Sequence, residues 1–243
     1  MKRYYICAFL LFLLCYETYA KKQKDETYFY PFISIGYPYT NTGDLNDYYN
    51  SIVNSYRSQG VPISTQVEFG RTLVVGGGVL YNFKNDTRLG ISLGYWYSPA
   101  YSGYEDYGGT LKINGSLNDL DICLMLQTMI DQIENYPVVI DIRVGGCRSS
   151  LGITQDVRFN SFSENNSNVN FSKVCWGPCF ELTIGSRFEF GGLIFSPEVG
   201  YRLTSNKLPK LPSENSNGIG SVSDEFNISE SGVVFLLSIG TKF

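Results

Sequence analysis

The chain has 243 residues and not one histidine. That absence removes histidine-based triads, histidine metal sites and the usual general base near neutral pH. Positive charge is not in excess either. Nineteen Lys and Arg face 23 Asp and Glu, a net charge of −4, which gives no support for a nucleic-acid partner. Past the N-terminus no stretch of about 18 apolar residues occurs, so no membrane-spanning helix is expected. Gly76-Gly77-Gly78 lacks the spacing of a dinucleotide loop, and no Lys-Ser/Thr follows it. Such glycines more simply relieve crowding or allow sharp curvature inside a strand. Cys175-Trp-Gly-Pro-Cys179 holds three residues between its cysteines, where a thioredoxin-like redox motif holds two.

What the chain has in quantity is aromatic residues, 15 % of the total, with 19 Tyr and 16 Phe. Tyr suits a boundary where one end of the ring is wet and the other greasy. The N-terminus reads as an export signal. Lys2 and Arg3 precede an almost wholly apolar run from Tyr4 to Tyr16, and Thr18-Tyr19-Ala20 offers small residues at a cleavage site. Residues 1–20 are therefore expected to be a signal peptide, with residues 21–243 as the single mature domain. Cys15 follows the bulky Leu14, so lipidation there is not expected.

Read for alternation, the mature chain breaks into eight strand-like segments: 28–37, 66–83, 89–101, 111–130, 138–147, 173–190, 193–203 and 232–243. The fourth is expected to slip phase near Asn118, as at a bulge. Tight turns at 84–88, 131–137 and 189–192 alternate with long polar segments at 38–65, 98–110, 148–172 and 204–231. Short turns on one side and long loops on the other are the pattern of an up-and-down barrel. In the first long loop Leu45, Tyr48, Tyr49, Ile52 and Tyr56 recur at helical spacing. Asp44 can start a helix there, and Gly60 and Pro62 can end it.

The final strand carries Val233, Phe235, Leu237, Ile239, Thr241 and Phe243 on one face, and its last residue is aromatic. Such an end resembles the last strand of bacterial outer-membrane β-barrels, whose insertion machinery reads it. Together with the eight segments, the chain resembles the small eight-stranded outer-membrane proteins of the OmpA-domain, OmpX and OmpW types. The resemblance covers the mature chain and rests on layout and the last strand. It implies an all-β fold, an eight-stranded antiparallel transmembrane barrel with long external loops and a short helix in the first. It also implies the outer membrane of a diderm bacterium, contact with its lipid and with the insertion machinery, and Phe243 as the insertion signal.

Opposite the apolar faces stand Glu68, Asp121, Asp141, Arg143, Glu181, Arg187, Glu198 and Arg202. In a barrel of eight strands the lumen is only wide enough for side chains to fill it. These residues are expected to form a charge-paired plug, the alternative being a proton or ion path. Cys123 and Cys147 come opposite each other, for a disulfide, if the turn between their strands centres near Asn135; Cys147 with Cys175 is a rival pairing. No cofactor, metal or catalytic group is expected. The role that fits is non-enzymatic, structural or through protein partners at the external loops. Other readings are a narrow channel or binding barrel for small apolar molecules, an accessory subunit of an envelope complex, and a soluble lipocalin-like carrier.

Overall fold

A computed structural model describes residues 28–42, 44–70, 73–83, 87–130, 137–159, 167–208, 226–228 and 230–242. Eight strands close into one antiparallel ring: β1 (Tyr28–Gly36), β4 (Leu73–Asn82), β5 (Thr87–Asp106), β6 (Gly109–Ile130), β7 (Val138–Phe159), β8 (Ser167–Ser186), β10 (Leu193–Thr204) and β13 (Ser231–Thr241). Closure is made by β13, which pairs with β10 on one side and β1 on the other. Short pieces extend the ring. They are β2 (Tyr39–Asn41) on β13, β3 (Ser64–Val67) on β5, and β9 (Phe188–Phe190) on β10. A separate ribbon joins β11 (Lys207–Leu208) to β12 (Phe226–Asn227). The single helix described is α1 (Asp44–Ser58).

The strands differ in length, and the difference shapes the molecule. A membrane-crossing strand needs about 9–11 residues, which β1, β4, β10 and β13 supply with 9 to 12. Strands β5 to β8 have 20 to 22. Their surplus of about ten residues carries them roughly 30 Å further along the strand direction. Of the segments expected as loops, 98–110 is thus continuous hairpin, while 148–159 and 167–172 belong to strands. The expected phase slip near Asn118 is also absent, because β5 and β6 stay in register from Asp106↔Gly109 to Thr87↔Thr128. Asn118 points outward and accepts a hydrogen bond from the Tyr95 hydroxyl at 2.7 Å, while Asp119 and Asp121 point inward. Polar residues on both faces at one level mimic a slip in the sequence. The second segment, read as one strand, is split into β3 and β4.

Helix α1 supplies what the tall strands need. Leu45, Tyr48, Tyr49, Ile52 and Val53 form its buried stripe. That stripe meets Ala100, Leu111, Ile113, Leu117, Leu151 and Ile153 on the concave side of the sheet, in the largest apolar cluster described. Acidic Asp44 and Asp47 sit in its first turn and Arg57 in its last, each favourable to the helix dipole. Gly60, at φ 87°, closes the helix: its N–H donates to Arg57 O, and Val61 N–H donates to Tyr56 O. This is a Schellman end, which glycine adopts without the Cβ penalty. Asn46 fixes the other end by exchanging two hydrogen bonds with the Phe69 backbone, both 3.0 Å. The Tyr49 hydroxyl donates to Ile113 O at 2.8 Å.

Candidate functional site

The outside of the ring below the tall hairpins is apolar all the way round. Ile33 and Ile35 of β1, Val75 and Val79 of β4, and Ile91 and Leu93 of β5 are exposed. So are Ile122 and Leu124 of β6, Val144 of β7, Phe180, Leu182 and Ile184 of β8, Val199 of β10, and Phe235 and Leu237 of β13. Ile33 is 68 % exposed and Leu124 65 %, which water would oppose at about 25 cal/mol per Å². Aromatic side chains edge this band: Tyr37, Tyr39, Tyr97 and Trp176 toward the tall hairpins, Phe29, Phe83 and Phe190 toward the short turns. An apolar band between aromatic girdles, on a sheet with no open edge at that level, is the surface that hydrocarbon demands. The chain is a membrane-spanning β-barrel.

Inside the barrel, charges are stacked in three tiers. At the short-turn end Arg88 and Arg187 lie 5.2 and 5.3 Å from the Tyr30 ring. Arg88 also donates to Asn82 Oδ1 at 3.0 Å, to the Tyr28 hydroxyl at 2.8 Å and to Gln127. In the middle tier Arg143 faces three carboxylates: Glu181 by a short hydrogen bond, Glu198 at 3.3 Å and Asp141 at 3.6 Å. In the upper tier Arg202 reaches Asp121 at 2.8 Å, Asp119 at 3.3 Å and Glu230 at 3.8 Å. Its guanidinium also stacks 3.7 Å from the Trp96 ring, a favourable contact in a dry site. The register explains the convergence. Arg143↔Glu181 and Arg202↔Glu181 are direct cross-strand partners, so one row of inward positions draws acids and bases together.

Small residues make the space. Ser196, Ser238, Ser34, Gly76 and Gly94 follow one another across five strands in register, ending on Asp121. A cavity of about 20 Å³, room for roughly one water, lies among Ser92, Trp96, Asp121, Cys123, Arg143 and Cys179. Among the described residues this cavity is far too small for an organic ligand, which needs about 300 Å³ or more.

The mouth beneath the tall hairpins is closed by folded chain. The apolar stripe of α1 lies over it, and Ile228, fully buried, joins the same cluster. Asn206 turns inward and donates to Ser149 Oγ and to Cys147 Sγ. Glu230 stands buried beside Arg202.

Seven of the eight residues expected in the lumen have inward or part-buried side chains there: Asp121, Asp141, Arg143, Glu181, Arg187, Glu198 and Arg202. Glu68 does not. It is exposed, in the break between β3 and β4, because that strand leaves its alternation where Phe69 turns in to meet α1. The sequence reading missed Arg88, Asp119 and Glu230. Arg88 fell in an expected turn, Asp119 beside the apparent phase slip, and Glu230 in an expected loop. Cys123 and Cys147 are free thiols, which corrects the disulfide proposed for them. The observed register pairs Cys123 with Gly145 and Cys147 with Asp121, so the two cysteines are diagonal, about 7–8 Å apart and beyond a disulfide's usual reach. Cys175 lies in the external cluster instead. Phe243 and residues 1–20 lie outside the described residues.

No family model and no curated protein matches the sequence. Solved structures similar to the barrel include Neisserial surface protein A, at 11 % identity over 88 % of this chain and 97 % of that one, with a TM-score of 0.40. Ail, the attachment invasion locus protein of Yersinia pestis, is 9 % identical over 91 % and 100 %, TM-score 0.41. The outer membrane protein AlkL, solved in lipid bilayers, is 15 % identical over 93 % and 96 %, TM-score 0.36. Likeness at that level carries nothing about role.

Proposed function

We propose that the barrel is a non-enzymatic surface-interaction protein of the outer membrane of a diderm bacterium. Residues 1–20 act as its cleaved signal peptide and Phe243 as its insertion signal. Its working part is the external cap, meaning the hairpins of β5–β8 with α1 on their concave side. The observation that carries this reading is the closed mouth. A lumen filled by Arg–carboxylate groups and covered by a packed helix suits a pedestal for the cap better than a path for solutes. The tall hairpins are held as one sheet by uninterrupted registers. They therefore present the β5–β6 tip rigidly, which lowers the ordering cost of binding a partner. The β5–β6 tip shows the device. Asp106 accepts hydrogen bonds from Gly108 N at 2.8 Å, Gly109 N at 3.0 Å and the Tyr104 hydroxyl at 2.5 Å, and Tyr107 projects from it, 96 % exposed.

The test is a variant in which β5–β6 is shortened by joining Tyr101 to Asn114, partners in register, through an Asn-Gly turn. The folded variant, checked by heat-modifiable gel migration, should lose attachment of expressing cells to host-cell or matrix surfaces. In a planar bilayer the intact barrel should show no single-channel current. Steady conductance by the intact barrel, or undiminished attachment by the folded variant, would overturn the proposal.

A further inference from the structure

Three thiols meet inside the barrel. Cys123, Cys147 and Cys179 form a buried cluster of their own, and they come from three neighbouring strands. Register places Cys123 opposite Gly145 and Gly145 opposite Cys179. The two cysteines thus flank a residue without a side chain. Gly145 is needed there, since a Cβ would stand 2.0 Å from Ile122 O and 2.6 Å from Cys123 Cα. Across that gap Cys123 and Cys179 face the same interior and belong to one buried cluster. Both also border the small cavity, with Asp121, Arg143, Glu181 and Trp96.

The spacing decides what this pair can do. Two strand intervals separate the Cα atoms by about 9.5 Å on a flat sheet, and curvature shortens this only modestly. A disulfide needs Cα atoms within about 7 Å, so the pair does not close into a disulfide without backbone movement. Collinear coordination asks for something else. Metal–sulfur bonds near the zinc–thiolate length of about 2.3 Å set two collinear sulfurs about 4.6 Å apart, a span suited to side chains that converge from strands two apart across Gly145. Cys147 is held elsewhere: its sulfur receives Asn206 at 3.3 Å and Arg202 at 3.5 Å, and lies 3.5 Å from Ser149 Oγ. With Cys147 so engaged, the cavity offers an ion the two sulfurs of Cys123 and Cys179, the ligand number of a two-coordinate ion.

We propose that Cys123 and Cys179 form a linear two-thiolate site for a soft monovalent cation of the Cu(I) or Ag(I) class. Thiolate sulfur selects such ions, and the absence of histidine from the whole chain removes the commonest competing ligand. Binding forms two metal–sulfur bonds and releases both thiol protons, with no change of oxidation state. The product carries one negative charge. Arg143, on the cavity wall, faces it, while Asp121 and Glu181 oppose it from the same wall.

The experiment uses tag-free barrel beginning at Lys21, refolded in detergent in chloride-free buffer with Ag(I) present, then desalted. A Cys147→Ser/Cys175→Ser background leaves only the pair in question, and Trp176→Phe leaves Trp96 as the one indole of two in the chain. Folding is checked by heat-modifiable migration. One equivalent of silver should be retained and Trp96 emission quenched, with both effects lost on Cys123→Ser or Cys179→Ser. If the background does not fold, the otherwise wild-type chain is alkylated with and without Ag(I), and peptide mapping should show protection at Cys123 and Cys179 together. Silver retained by both Ser variants, no retention by reduced folded barrel, alkylation of the pair unchanged by silver, or a Cys123–Cys179 disulfide found by mass spectrometry would each overturn the proposal.

Discussion

Arg202→Met is the sharpest test of the lumen. The Arg202 side chain has no exposure, Asp119 none and Glu230 1 %, with Asp121 at 8 %. Removing the guanidinium leaves three carboxyl groups around an apolar side chain. Breaking a buried pair by removing one partner costs about 3–5 kcal/mol, because the remaining charge is stranded. Met keeps much of the volume and can lie on the Trp96 ring, so cavity formation adds little. For a chain of this size about 1 kcal/mol moves the unfolding midpoint by roughly 2–4 °C. The expected fall is therefore about 6–20 °C, read as loss of the heat-resistant gel band over a temperature series in detergent. Neutralising the partners as well, with Asp119→Asn, Asp121→Asn and Glu230→Gln, should recover most of the loss, since the stranded charges are then gone. A single Arg202→Met variant within about 2 °C of the native barrel would refute the reasoning, and so would a fourfold variant no better than the single one.

Leu182→Arg, at a side chain 44 % exposed in the apolar band, should cost about 2–4 kcal/mol near the membrane midplane, measured by urea titration of folding into vesicles. A soluble protein would accept it almost freely. Ile52→Asp, in the buried stripe of α1, should release the cap while leaving the ring closed. Protease should then cut near residues 44–60, with heat-modifiable migration unchanged; resistance equal to wild type would show that α1 is not held by this stripe. Burial pushes the Tyr49 phenol up to about 12. Its folded pKa lies above its unfolded value of about 10. The stability contributed by the neutral group is thus complete below pH 10 and is lost as pH rises through about 12. The cap should loosen to protease over that window, and Tyr49→Phe should remove that part of the pH dependence. At the β5–β6 tip the Tyr104 hydrogen bond, then Gly108 N–H, holds the Asp106 carboxyl below its ordinary range. Its contribution is present above the unfolded value of about 3.9 and lost as pH falls through the lower folded value. The Gly108 and Gly109 amide resonances should move over that acid range and not near neutrality.

Sequence alone determined the ring. Alternation has a period of two wherever one face meets hydrocarbon and the other a polar interior, so Phe180, Leu182, Leu237 and Ile239 declare their side whatever their neighbours do. The same rule put Asp141, Arg143, Glu181, Glu198 and Arg202 inward. The helix was legible too, because Leu45, Tyr48, Tyr49, Ile52 and Tyr56 keep helical spacing. Only tertiary structure decided how far the strands run past the membrane. Leu111, Ile113, Leu117, Leu151 and Ile153 are good strand residues beyond the bilayer only because α1 covers them, and that contact joins positions some 60 to 100 residues apart. Register, likewise, is not local. A shift of two residues between β6 and β7 keeps every side chain on its own face, so alternation cannot detect it. Yet it moves Cys147 from Cys123 to Asp121, exchanging an expected disulfide for three separate thiols around Gly145.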